Sequence, residues 1–137
     1  MKRIVMKRML APSSLLVALA LLASAGCAKP GPAPLMEYTL DDLPMAMRDP
    51  VADTWESSPW SGTGVAWIPY GPHAQIRLEH DLGRVPDGVA TYLSFTEDGQ
   101  TPSQAAGDLA RVVEVTDTHV TVWNDTNGAY YARVVLF

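Results

Sequence analysis

From Gly64 to Phe137 the chain is cut by Gly, Pro, Asn and Asp into short apolar runs, and no helical stripe appears among them. That punctuation constrains the fold more than any other feature. Val65-Ala66-Trp67-Ile68 stops at Pro69 and the Gly71-Pro72 turn. Over Gln75 to His80, Ile76, Leu78 and His80 share one face, and Gln75, Arg77 and Glu79 the other. Such strict alternation marks a half-buried strand. Asp81-Leu82-Gly83 turns the chain, and Val85-Pro86-Asp87-Gly88 leads into the run Val89 to Phe95. Three more β-rich runs follow: Leu109 to Val115, Val120 to Trp123 and Tyr130 to Phe137. The first two are separated by Thr116-Asp117-Thr118. Between the last two lies Asp125-Thr126-Asn127-Gly128, whose Asn-Gly pair predicts a hairpin because both residues tolerate positive φ. About six strands without a helix predict an all-β fold, an antiparallel β-sandwich or small barrel, and exclude an α/β fold.

Two stretches carry weaker patterns. In Glu37 to Gly62, Thr39 can cap a short helix with Asp41 and Asp42 in its first turn, but Pro44 and Pro50 stop it. The expectation there is an irregular segment contributing Trp55 and Trp60 to packing. Thr96 to Asp108 reads as a long polar loop.

The first 26 residues differ in kind from everything after them. Lys2, Arg3, Lys7 and Arg8 begin the chain, and no further charge appears until Lys29. Between them runs an apolar stretch densest from Leu15 to Ala23, then Ser24, Ala25, Gly26 and the only cysteine, Cys27. A basic start and an apolar core are the marks of an export signal. Basic residues, apolar run, small residues and Cys, in that order, resemble the lipobox of bacterial lipoproteins. Ser24 stands where that pattern usually has Leu. The resemblance implies cleavage after Gly26, thioether diacylglycerol on Cys27 and acylation (palmitate) of the new amino terminus. Ala28 in place of Asp after the cysteine implies delivery to the cell outer membrane, where the source has one. Two alternatives compete: an uncleaved transmembrane anchor over Met9 to Ala28, and an ordinary secretory signal leaving Cys27 as a free thiol.

Three prolines and a glycine in Ala28 to Pro34 predict an extended spacer, so residues 27–36 read as a lipidated tether and 37–137 as one domain. At about 3.1 Å per residue the spacer holds that domain roughly 20 Å from the lipid. The formal charge of −5 conceals an asymmetry. Four of ten basic residues precede Cys27 and none of fifteen acids do, leaving six cations against fifteen anions, a net −9. A chain so acidic lacks the basic face of a nucleic-acid binder and is not held to anionic lipid by charge. A single cysteine excludes a disulfide framework and Cys-rich zinc modules.

No catalytic motif stands out. Gly-x-Ser-x-Gly, His-Glu-x-x-His and the phosphate loop are all missing from the sequence. His73, His80 and His119 are too scattered to predict a metal site, and His80 reads as a hydrogen-bonded core histidine. Glu97-Asp98 reads as solvated loop, and so does the Asn124-Asp125-Thr126 sequon. No cofactor is implied. Aromatic residues are the richer set: Trp60, Trp67, Tyr70, Trp123, Tyr130 and Tyr131. Rings beside Asp or Asn suit sugar stacking with directed hydrogen bonds, whereas small β domains bury most such rings in cross-strand packing. Trp123, Asn124 and Asp125, with Tyr70, are the candidate ligand-binding residues.

His80-Asp81-Leu82-Gly83-Arg84-Val85-Pro86 and the ending Ala132-Arg133-Val134-Val135-Leu136-Phe137 resemble small β-sandwich domains of phage tail proteins. Trp123-Asn124-Asp125-Thr126 before the last strand is similar to the H-type lectin sandwich. That resemblance implies homotrimeric assembly and recognition of a glycan or another surface. The expected function is a membrane-anchored envelope lipoprotein with a non-enzymatic binding or structural domain. The alternative is an envelope hydrolase with dispersed catalytic residues.

Overall fold

The structure is a computed structural model and describes residues 33–137. The segment read as an export signal, Cys27 and the stretch read as tether up to Pro32 lie outside the described residues. Ten strands alternate with short turns: β1 (Leu35–Tyr38), β2 (Met47–Asp49), β3 (Thr54–Glu56), β4 (Ile68–Tyr70), β5 (Gln75–Glu79), β6 (Val89–Ser94), β7 (Ser103–Ala105), β8 (Arg111–Val115), β9 (His119–Trp123) and β10 (Tyr130–Leu136). They form a four-stranded sheet in the order β1-β5-β9-β8 and a six-stranded sheet in the order β2-β3-β10-β6-β7, with β4 also on β10. The all-β sandwich expected from the strand pattern is the fold observed.

Alternation decides what lies between the sheets. The small sheet buries Ile76, Leu78, Val120 and Val122, and the large one buries Trp55, Leu93, Ala132, Val134 and Leu136. His80 continues the inward face of β5, 3 % exposed, with its ring 6.3 Å from that of Trp55. Its Nε2 sits 3.2 Å from the Thr116 carbonyl, and Nδ1 has no partner.

Four strands are additional to the six apolar runs. The segment expected to be irregular supplies β2 and β3 and the second half of β1, which opens at Leu35, inside the stretch read as tether. Each has three or four residues, too few to show a period; β1, β3 and β7 are held by the longer β5, β10 and β6, and β2 pairs on β3. β1 lies on β5 in the one parallel pairing. The loop expected over Thr96 to Asp108 contains β7, an edge strand on β6. Thr39 does begin a turn, of 3₁₀ type at Leu40–Asp42. The Asp42 carboxylate accepts there from Thr39 N–H at 2.9 Å and Thr39 Oγ1 at 2.7 Å.

The Asn-Gly hairpin does not form. β9 pairs with β5 and β8, while β10 pairs with β3, β4 and β6, so the connection crosses from one sheet to the other. Neither Asn127 nor Gly128 adopts the positive φ that a tight hairpin turn requires. Gly128 serves space instead: a Cβ there would stand 2.2 Å from the Tyr130 hydroxyl. Pro69 lies within β4 rather than ending it, because that short strand is bonded on one side only.

Candidate functional site

The four residues singled out in the sequence cluster around the β9–β10 crossing, but they do not make an open platform. Asn124 is fully buried and organises the loop. Its Nδ2 donates to the Gly71 and Gly128 carbonyls, both at 2.8 Å, and its Oδ1 accepts from Thr126 N–H and Oγ1. The sequon nitrogen is therefore already committed. Tyr70 is buried in the core beside β10 with its hydroxyl unpartnered, and burial pushes that phenol well above its ordinary pKa. Trp123 is half-buried on the outer face of the small sheet, covered by the Arg111 guanidinium 4.9 Å from its ring centroid. Asp125 receives the same Arg111 at 3.1 Å and has His73 at 3.9 Å. Only Trp123 and Asp125 keep contact with solvent.

The row next to Trp123 on the outer face of the small sheet is polar. Register places Glu37, Arg77 and Thr121 side by side on β1, β5 and β9, with Glu114 of β8 next. Arg77 bridges Glu37 at 2.8 Å and Glu114 at 3.2 Å, and its Nε donates to Thr121 Oγ1 at 3.3 Å. His119 Nε2 lies 3.1 Å from Glu114, and His119 Nδ1 lies 3.0 Å from Thr116 Oγ1. These contacts hold the Glu114 carboxyl below the usual range, the His119 hydrogen bond being the main cause. A shallow cavity of about 250 Å³ opens beside them, lined among others by Glu37, Arg77, Glu79 and His119. The hydroxyl–imidazole–carboxylate chain has the residue types of an acyl-transfer triad. Thr116 Oγ1, however, already accepts from the Thr118 and His119 N–H groups, at 3.2 and 2.9 Å. It caps a hairpin turn and is poorly placed to attack a substrate.

The outer face of the large sheet is built on the opposite plan. Arg133 of β10 sits where β3 has ended and β4 has not begun, and it is fully buried. Its Nη2 donates to Glu56 and its Nε to the Ser58 carbonyl at 2.8 Å. The chain leaving β3 folds back so that Trp60 stacks on the guanidinium, 3.7 Å from ring centroid to Cζ. Trp60 in turn meets Tyr92 edge-on at 4.6 Å and Trp67 edge-on at 6.2 Å. Trp60 stays 45 % exposed, while Arg133 Nη1 finds no acceptor among the described residues. Trp60 and Tyr92 were legible as aromatic residues, but nothing local in the sequence links either to Arg133.

His73 and His80 stand at opposite ends of β5, and no group of three or more His, Cys, Asp or Glu among the described residues could hold a metal. Asp98 accepts from Gln100 Nε2 at 2.7 Å, and its hydrogen bonds, Thr96 first, keep its pKa low. No family model matches the chain, no curated protein matches it, and no solved structure matches its fold.

Proposed function

We propose that this chain is a lipoprotein of the bacterial cell envelope, anchored through Cys27, whose folded part is a non-enzymatic binding or structural module for a glycan or another envelope protein. One observation carries the reading: the only cysteine follows Ser24-Ala25-Gly26 directly at the end of an uncharged apolar run. The position of β1 is compatible with it, because the first strand opens eight positions after Cys27 and leaves only the Pro-rich stretch between lipid and domain. Two or three acyl chains, at about 0.8 kcal/mol per buried methylene, anchor stably where one does not. Outer-membrane residence follows from Ala28 by the same resemblance. Labelled palmitate should enter the wild-type chain and not Cys27→Ser, and the serine variant should leave the membrane fraction. Absence of label in the wild type overturns the proposal.

The non-enzymatic part rests on how the polar side chains are used. Every arginine of the described residues is bonded to a carboxylate, and Asn124 holds a loop together. A second reading, an envelope hydrolase, is favoured by the Thr116–His119–Glu114 chain alone. A panel of activated esters separates the two. Turnover that His119→Ala abolishes supports the hydrolase, and turnover no faster than free imidazole supports the binding module. The homotrimer implied by the tail-protein resemblance is tested by the mass of the detergent-solubilised chain.

A further inference from the structure

We propose that the apolar groove where β6 ends and β10 begins rests on the lipid surface that holds Cys27. The inference depends on the lipid anchor proposed above and names the surface its domain meets. The groove encloses about 230 Å³, and Leu93, Phe95, Ala105, Leu109 and Tyr130 line it, with no charged side chain in its wall. The cavities beside Arg77, Arg48 and Asp42 all have carboxylates in theirs. Phe95 follows Thr91 and Leu93 in the inward alternation of β6, and Tyr130 precedes Ala132 and Val134 in that of β10. Their rings lie 5.5 Å apart at the edge of the core, and Phe95 is 80 % exposed. Contiguous exposed apolar surface marks a contact with a protein or a membrane.

The point at which the chain enters the sandwich favours the membrane. The Pro34 carbonyl accepts from Gln75 N–H at 2.8 Å, the neighbouring Ala74 carbonyl from Asn124 N–H at 2.9 Å, and the Asp108 carbonyl from Asp125 N–H at 2.7 Å. Leu109 follows Asp108 directly. Tyr130 pairs with Tyr70, next to the Gly71 carbonyl that Asn124 also holds. Pro34 and the groove therefore lie at one end of the sandwich. Seven residues, Ala28 to Pro34, join that end to Cys27, a reach of roughly 20 Å. Docking on a surface so near is intramolecular, and the high effective concentration makes a contact sufficient that is too weak to recruit a free chain. Aromatic rings settle at the headgroup boundary, and apolar burial there needs no attraction between charges. Val51 and Val85 are exposed too, but they flank the far end of β10, where Leu136 pairs with Trp55 and Val89 and Arg48 and Arg84 meet Asp53.

The test places the ¹⁵N-labelled chain, purified from membranes, in phosphatidylcholine nanodiscs, with and without a lipid that carries a nitroxide on its headgroup. The nitroxide should weaken the Phe95, Leu109 and Tyr130 amide signals severalfold more than those of Val51 and Val85. Phe95→Ser, at an exposed position that the fold does not need, should remove most of that difference, whereas Val51→Ser should leave it unchanged. Equal weakening at both ends, stronger weakening at Val51 and Val85, or no response to Phe95→Ser overturns the contact. So does a difference that grows in discs of anionic phosphatidylglycerol, because charge and not the groove would then hold the domain. Signal loss that follows the number of chains per disc instead of the nitroxide assigns the groove to a second copy and also overturns the proposal. Labelled palmitate in the same sample reports the anchor separately. Labelled chain without the difference between ends overturns this face alone, and unlabelled chain overturns the anchor and this face with it.

Discussion

The two outward faces of the sandwich each carry an arginine on a central strand, and the two are held in contrasting ways. Arg77 lies flat across the small sheet, about one-third exposed, between two carboxylates that water also reaches. Arg133 is wholly enclosed, bonded to Glu56 and Ser58 and roofed by Trp60. Solvent screens the first pair of interactions, which therefore add little to stability. The second has lost its hydration, and its stability depends on every remaining partner. A salt bridge is thus a surface ornament on one face and a structural dependency on the other.

The sharpest way to break that contrast is Glu56→Ala, which strands a buried guanidinium. It should lower the free energy of unfolding by about 3 kcal/mol in urea titrations. Adding Arg133→Met to that variant should recover most of the loss, since an apolar side chain of similar length needs no counter-charge. A Glu56→Ala cost no larger than that of a surface pair ends the comparison. Trp60→Ala comes next, at about 2 kcal/mol, because it removes the cation–π contact and admits water to Arg133.

Acid separates the interior from the surface by pH window. Burial, the largest cause, lowers the His80 pKa below 6.5, so the unfolded chain binds that proton more readily than the folded one. Stability should be full above pH 6.5 and decline as pH falls through the window down to the lowered folded value. The Glu114 carboxyl, depressed by His119 and Arg77, gives a contribution present above its ordinary value of 4.5 and lost only below it. Thermal melts between pH 7 and 3 should slope downward from pH 6.5 for the wild type, with His80→Leu flattening the upper part of that slope and Glu114→Gln changing only the limb below 4.5. The smallest effect is on Arg77→Ala, which should move the melting temperature by no more than about 4 °C. That shift should shrink further in 1 M salt, because screening at that ionic strength acts over about 3 Å.

Five of the ten strands were legible because each lies in a run that shows alternation or β-branched enrichment, and β4 was legible only at Ile68, since Pro69 reads as the end of its run. Ile76, Leu78 and His80 pointed inward as their spacing required. β1, β2, β3 and β7 were not, since three or four residues carry no period and take their strand conformation from the neighbour they bond. Asn127-Gly128 misled for a related reason. Its tolerance of positive φ permits a hairpin, but β9 and β10 find their partners in opposite sheets. At the candidate site, Trp123 and Asp125 were visible by type, while the roles of Arg111 and Glu114 were not. Both depend on strand pairing, which sets Arg111 against Trp123 and Glu114 beside His119 and Arg77. Tyr70 and Asn124 show the converse, for a ring and an amide that suit a ligand suit a core and a loop equally well.

The sequence by itself determined the all-β class, the inward face of the central strands, the division of charge about Cys27 and the lipobox-like order before it. These are local properties, carried by period, composition and adjacency. Only the tertiary structure decided which arginine is bare and which is enclosed, and which aromatic ring faces water. Each of those depends on what the other sheet and its loops bring within a few ångströms, and no spacing along the chain encodes that.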